Sequence, residues 1–476
     1  MPSLRRPSQP VVVAIVYVAA MFVTILDTTI VHVTLPTLAQ EFGVGIGSIE
    51  WVVTGYLLSL AVWIPASGWI GDRVGTKRTL LFAIAVFTVA SALCGVSASL
   101  GQLVAFRILQ GVGGGMLAPV GLAMLYRAFP PERRAQASKV LIIPTAVAPA
   151  LGPIVGGALI ESASWHWVFL VNVPIGIAVF VFGAVYLHEQ REPSAGRFDL
   201  PGFVLAGGAL ALILFAMSEG PRAGWGAPVT VITGLGGIAA AAALVVVELR
   251  TAQPMLTLPL LGNRLFRSTN AVSIFATAAF IGTLFLMPVM LQQVRGASAL
   301  ESGLTTFPEA LGVLALSQLV GRLYVRVGPR ALMVFGMAAM GGLLIAVSRV
   351  GLETNEWAIR GLMFALGGSF SFLIIALQAS SFATIAPADT GRASALYNTQ
   401  RQVSQALGVA LLASTLAAFL PDGSDGSSAG DLGAYQKAFL IAAVIAFVGS
   451  IVAIRVPDAD AHATRVARHR APATAD

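Results

Sequence analysis

The sequence predicts an all-α integral membrane protein of fourteen spanning helices, two six-helix bundles with two further helices inserted between them. Three observations carry this expectation. Hydrophobic residues make up 57% of the 476-residue chain and charged residues only 11%, against roughly a quarter charged in soluble domains. The apolar runs are about twenty residues long, the length at which a helix crosses a hydrocarbon layer of ~30 Å. A basic, glycine-bearing loop also occurs twice, once in each half.

The runs fall roughly at 11–35, 51–70, 79–98, 102–126, 137–160, 166–187, 200–218, 227–248, 268–291, 302–324, 331–349, 357–386, 391–420 and 437–455. Exposed irregular backbone cannot satisfy its polar groups in lipid, so these runs are read as helices. The residues lack the alternation of a membrane barrel. Arg5 and Arg6 precede the first run, which is too long for a cleavable signal and is expected to direct insertion itself. The single cysteine, Cys94, excludes an intramolecular disulfide and is expected to pack as a small hydrophobe.

The net charge of +7 does not point to nucleic acid, because the basic residues are distributed by side. With the loops alternating across the bilayer, nearly all lie with the termini. Only Arg222, Arg295, Arg349, Arg360 and Lys437 fall in the opposite loops. This bias places both termini in the cytoplasm. The tail segment "RVARHR" fits a topology and lipid-surface signal.

The repeated loop reads "GWIGDRVGTKR" from Gly68 to Arg78 and "GRLYVRVGPR" from Gly321 to Arg330. The copies align without gaps, except that Val325 stands where the first has Asp72. Each follows the second helix of a six-helix set. The chain is therefore expected to divide into a bundle over 1–190, an inserted two-helix linker over 191–262, and a second bundle with a basic tail over 263–476. Paired halves of this kind bind substrate between them and rock. The glycines suit tight turns, and the basic residues suit helix C-termini. Gly68, Asp72, Arg73, Gly75, Lys77 and Arg78 are the candidate gate residues.

Other stretches carry polar chemistry inside spans. "LDTTIVHVTLP" holds Asp27, a carboxylate that is costly in lipid unless paired or protonated. Thr24 or Thr28 could satisfy it locally. His32, about 140° further around the helix, belongs to a different face. "RILQGVGGG" opens with Arg107, which stays charged at any depth and needs a partner. It shares a stripe with Gly111 and Gly115, and snorkelling to the surface is its alternative. "APALGPIVGG" sets Ala148, Gly152 and Gly156 four apart, a seam for close helix packing, beside Pro144, Pro149 and Pro153. Asn398, Arg401 and Gln405 share one face of a later span. Glu309, after Pro308, is the acidic candidate of the second half. Tyr56 and Trp51 are candidate cavity residues, Trp51 equally an interfacial anchor.

These stretches resemble the major facilitator superfamily, and within it the fourteen-span drug:proton antiporters (multidrug efflux transporters). "LDTTIVHVTLP" is similar to the family's first-helix motif, with His32 at the usual asparagine. "GWIGDRVGTKR" is similar to its loop motif, whose aspartate and arginine, here Asp72 and Arg73, help latch the halves. "RILQGVGGG" is similar to its fourth-helix motif, and "APALGPIVGG" to its fifth-helix antiporter motif. "WHWVFLVNVPIG" also looks like family sequence, with His166 at the usual arginine.

The resemblance implies the major facilitator fold and proton-coupled efflux of hydrophobic drugs, cationic ones among them, by alternating access across a bacterial cytoplasmic (inner) membrane. Such efflux confers antibiotic resistance. It assigns proton coupling to Asp27 and Arg107. Glu309, Asn398, Arg401 and Gln405 become second-half coupling or substrate candidates. Pro149, Gly152, Pro153, Gly156 and Gly157 become the antiporter helix.

The expected partners are a small-molecule substrate, protons and the lipid bilayer. The expected state is a monomer; an adaptor protein serves some relatives, though no feature here calls for one. No cofactor is expected, the proton gradient being the driver. The sequence lacks the G-x-x-x-x-G-K-[ST] loop of nucleotide hydrolysis. Its five histidines lack metal-ligand spacing. Proton-coupled uptake on the same fold is the nearest alternative. A membrane sensor would need a soluble domain, and an intramembrane protease a nucleophile–base pair. Neither stands out.

Overall fold

The computed structural model describes residues 8–44, 49, 51–129, 142–191, 198–251, 254, 256–386, 389–420 and 429–464. The basic residues Arg5, Arg6, Arg133, Arg134, Lys139, Arg197, Arg465, Arg468 and Arg470 lie outside them, as do the side chains of His32, Pro144, Pro149 and Pro153.

Among the described residues fourteen long helices follow one another. They are α1 (Gln9–Glu41), α2 (Trp51–Val74), α3 (Thr76–Cys94), α4 (Leu100–Ala128) and α5 (Ile142–Ser162). Next come α6 in two segments (His166–Leu170 and Asn172–Tyr186), α7 (Leu200–Ala223), α8 (Pro228–Arg250) and α9 (Arg264–Gln293). The last are α10 in two segments (Ala299–Thr306 and Pro308–Val327), α11 (Pro329–Val347), α12 (Glu356–Ser381), α13 (Thr390–Phe419) and α14 (Leu432–Ala453). Among the described residues thirteen are long and apolar enough to span a membrane. The remaining long helix is the 21-residue α5.

Two helices break where the sequence reads as one run. In α6, Pro174 has no N–H for the Leu170 carbonyl, and the helix interrupts at Val171. In α10, Pro308 likewise deprives the Leu304 carbonyl, and the helix restarts after Phe307.

One core cluster is built from α9 to α14 and the segment just after them. A second and third are built mainly from α1 to α6. The second also takes in Phe266, Phe382, Ala393 and Tyr397, so it crosses between the halves. Of the inserted pair, α7 lies against α2 and α13. Three aromatic contacts run along α2: Trp51 with Phe215, Trp63 with Phe203 and Trp69 with Phe198. Leu210 and Leu214 pack with Ala61, Val403 and Ala406. Helix α8 packs on α7, as where Gly237 meets Ile213, and turns most of its apolar surface outward.

The repeated loop folds alike in both copies. Gly75 (φ 116°) and Gly328 (φ 92°) each adopt a left-handed backbone immediately before α3 and α11, a conformation that side chains other than glycine rarely accept. Each following helix N-terminus receives a carboxylate from chain that follows the sixth helix of its own set. Glu189 accepts from the Lys77 and Arg78 amides (3.0 and 3.3 Å). Asp458 accepts from the Arg330 amide (2.9 Å). Such a carboxylate satisfies free N–H groups and meets the positive end of the helix dipole.

Candidate functional site

Asp27 lies midway along α1 and is fully buried. Its neighbours Thr24 and Thr28 do not satisfy it, because their hydroxyls donate to carbonyls of their own helix, Ala20 and Thr24. The partners come from other helices. Arg107 of α4 donates to Oδ2 at 2.6 Å. Gln110 of α4 and Asn172 at the break of α6 donate to Oδ1 at 3.0 and 2.8 Å. Three donors therefore converge on one carboxylate, the arrangement an ionised acid uses.

Arg107 is also fully buried, so it does not snorkel. Its Nε donates to the Val52 carbonyl of α2 (3.0 Å), and Nη1 also donates to Gln110 Oε1 (2.7 Å). Its guanidinium lies over the Tyr56 ring, 4.2 Å from the centroid. Among the described residues, Arg107 Nη2 and Asn172 Oδ1 are buried without hydrogen-bond partners. Cys94 is buried beside Gln110.

The glycines of α4 explain how a guanidinium reaches this depth. A β-carbon on Gly111 would meet Ser59 and the Tyr56 carbonyl at 2.6 Å, and one on Gly115 would overlap the Leu60 carbonyl. The stripe that carries Arg107 is thus pressed onto α2. Gly113, on another face, lies equally close to Ala83 of α3.

On α5, a β-carbon on Gly152 would overlap the Thr29 side chain, and Gly156 faces Ile30. The seam closes onto α1 two residues beyond Asp27. Gly157 meets nothing within 4 Å and takes no part in the contact.

In the first loop, Asp72 is buried and pairs with Arg127 of α4 at 2.7 Å. Its carboxylate also lies beside Gly391, in the first turn of α13. Gly68 approaches the Gly391 carbonyl. Lys77 Nζ donates to the Ala184 carbonyl at the end of α6 (2.7 Å), and Arg78 lies 3.7 Å from Glu189. Arg73 is exposed and joins no ion pair or hydrogen bond among the described residues; the cation paired with Asp72 is Arg127, within the same half. Two further bonds cross between the halves on this side. Ser394 donates to the Pro119 carbonyl (2.8 Å) and Tyr126 to the Gln378 carbonyl (3.0 Å).

The second-half candidates do not join Asp27. Asn398 is buried and donates back to Ser394 of its own helix (2.9 Å). Arg401 and Gln405 are half-buried on the same face. Glu309 is buried where the backbone of α10 presses onto Gly367 of α12. Trp51 remains 44% exposed at the rim, against Phe215. Gln110 and Asn172 are the site residues that the sequence reading did not single out, although both lie in stretches it did.

A family model, the Major Facilitator Superfamily, matches residues 17–409. The chain belongs to that superfamily. A "Multidrug resistance protein B homolog" of Mycobacterium tuberculosis is 33% identical over 407 residues, 83% of this chain and 74% of that one. The "Putative multidrug resistance protein MdtD" of Salmonella typhimurium is 32% identical over 455 residues, covering 92% and 93% of the two chains. The "Tetracenomycin C resistance and export protein" of Streptomyces glaucescens is 32% identical over 425 residues, covering 88% and 78%. Among solved structures, the human organic anion transporter MFSD10 superposes with a TM-score of 0.67 at 15% identity. That match covers 94% of this chain and all of the other, a likeness of fold. This superfamily chain is accordingly a multi-pass membrane transporter.

Proposed function

We propose that this transporter exports hydrophobic small molecules, drugs among them, in exchange for protons across a bacterial cytoplasmic membrane. Both termini face the cytoplasm, and a monomer suffices. The proton gradient drives the cycle without a cofactor. One observation carries the reading: the buried Asp27–Arg107 pair, with its amide donors, sits inside a membrane span next to the α1–α5 seam.

The chemistry follows from the pair. Protonation of Asp27 removes one charge and leaves the Arg107 guanidinium buried with only the Val52 and Gln110 oxygens. Loss of one partner from a buried pair costs about 3–5 kcal/mol, comparable with the gap between the two access states of a transporter. The proton therefore biases which side is open. Substrate biases it the other way, so the two exchange. The relatives named for drug resistance and export support the direction.

The test is proton flux from proteoliposomes under an imposed pH gradient. Aromatic cations and neutral drugs are added in turn, with Asp27→Asn as the paired sample. The reading expects substrate-triggered proton release that the variant lacks. Release that survives in Asp27→Asn removes Asp27 as the carrier. Co-directional movement of proton and substrate replaces export with uptake.

A further inference from the structure

We propose that the path between the two halves receives substrates bearing an acidic group, a carboxylate or comparable oxyanion, and that Arg401 of α13 is its counter-ion. The inference deepens the efflux reading above and rests on it for the assumption that substrate passes between the halves.

The argument starts from depth. Arg401 lies eleven residues into α13, about 16 Å along the axis at ~1.5 Å per residue. The 30-residue helix is about 45 Å long, so Arg401 lies about 5 Å short of its midpoint, inside a hydrocarbon layer of ~30 Å. Its helix face is fixed by what lies below it. Ser394, seven residues earlier, bonds to α4 across the closed contact between the halves. Asn398 and Arg401 continue the same stripe. Arg401 is therefore two turns above that contact, on the surface of α13 that looks toward the first half. Its guanidinium is in electrostatic reach of Tyr17 of α1 and of Tyr397. Both phenols are buried in the core cluster that crosses between the halves. Helical side chains lean toward their own N-terminus, the direction in which Tyr397 and the Ser394–Pro119 contact lie.

The second step is charge. Among the described residues no carboxylate and no hydrogen bond holds Arg401, and its side chain is only half-buried. The other membrane charges are accounted for differently. Asp27 and Arg107 neutralise each other in full enclosure. Glu309 has no ion-pair partner among the described residues either, but a buried carboxyl can become neutral by taking up a proton. An arginine cannot neutralise by losing one. A half-buried guanidinium inside the span calls for an anion, and its planar fork matches a carboxylate with two parallel bonds.

The experiment uses the purified full chain in lipid nanodiscs and three fluorescent probes of one shape: anthracene carboxylate, anthracene carboxamide and aminomethyl anthracene. Equilibrium binding is read for the wild type, Arg401→Gln and Arg401→Lys. The wild type is expected to prefer the carboxylate over the carboxamide by about tenfold, the effect of one charge-assisted contact. Arg401→Gln brings that ratio to about one, and Arg401→Lys keeps part of it, which shows that the charge and not the fold was lost. Equal affinities in the wild type, no binding of the carboxylate, preference for the amine, or a ratio unchanged in Arg401→Gln each overturn the proposal. Proton release separates this from the efflux reading. Carboxylate-selective binding without proton-coupled movement contradicts efflux and leaves Arg401 its role. Proton-coupled movement of the amide or amine without carboxylate preference does the reverse.

Discussion

At the scale of the residue, the site is a charge pair held by amides. Arg107→Leu leaves the Asp27 carboxylate facing only Gln110 and Asn172. We expect it to cost about 3–5 kcal/mol of stability. Adding Asp27→Leu should recover most of that loss, because replacing both members of a buried pair is often near neutral. Thermal unfolding of the two single variants and the double checks this, and transport should be absent in all three. Single-variant losses that simply add in the double would contradict the pairing. Asp27 and Arg107 were legible in the sequence because a charge in an apolar run stands out. Gln110 and Asn172 were not. An uncharged amide in a span satisfies a helix carbonyl as readily as a carboxylate, and no spacing tells the two apart. Arg127 as the partner of Asp72 was hidden for another reason: it lies 55 residues away on another helix.

At the scale of the element, small residues decide where helices touch. Gly152→Leu drives a branched side chain into Thr29 of α1 and should abolish transport while membrane insertion and yield stay normal. Gly157→Ala, which meets open space, should transport as the wild type does. Reconstituted flux normalised to inserted protein measures both, and normal flux through Gly152→Leu would contradict the seam. The spans and the duplicated loop could be read from the chain, since span length and left-handed glycine turns leave local marks. The interruptions at Val171 and Phe307 could not. The sequence shows Pro174 and Pro308, but a proline bends one helix and breaks another according to what its neighbours can bond. Ser91 donating to the Phe169 carbonyl just before Val171 is such a neighbour.

At the scale of the whole molecule, the two halves are closed against each other on the side of the repeated loops. Asp72 works there twice, as partner of Arg127 and as a negative charge at the N-terminus of α13. Asp72→Ala should therefore loosen closure and raise the reactivity of a cysteine introduced at Ala395, which packs beside Gly68, toward a thiol reagent applied from that side. Cys94, the only native cysteine, is buried and should react slowly. Unchanged labelling would place the latch elsewhere. The inserted pair α7–α8 rests mainly on α2, but Trp225 Nε1 also donates to Ser414 of α13 (2.8 Å), so it touches both halves.

The central claim is that Asp27 takes up a proton when substrate leaves and gives it up when substrate binds. Infrared difference spectroscopy of the reconstituted protein, with and without a transported compound, tests it most directly. The account predicts that substrate removes a carboxylic-acid carbonyl band and adds a carboxylate band, and that Asp27→Asn shows neither change. A wild-type spectrum with no loss of the acid band, or the same loss in Asp27→Asn, would contradict it.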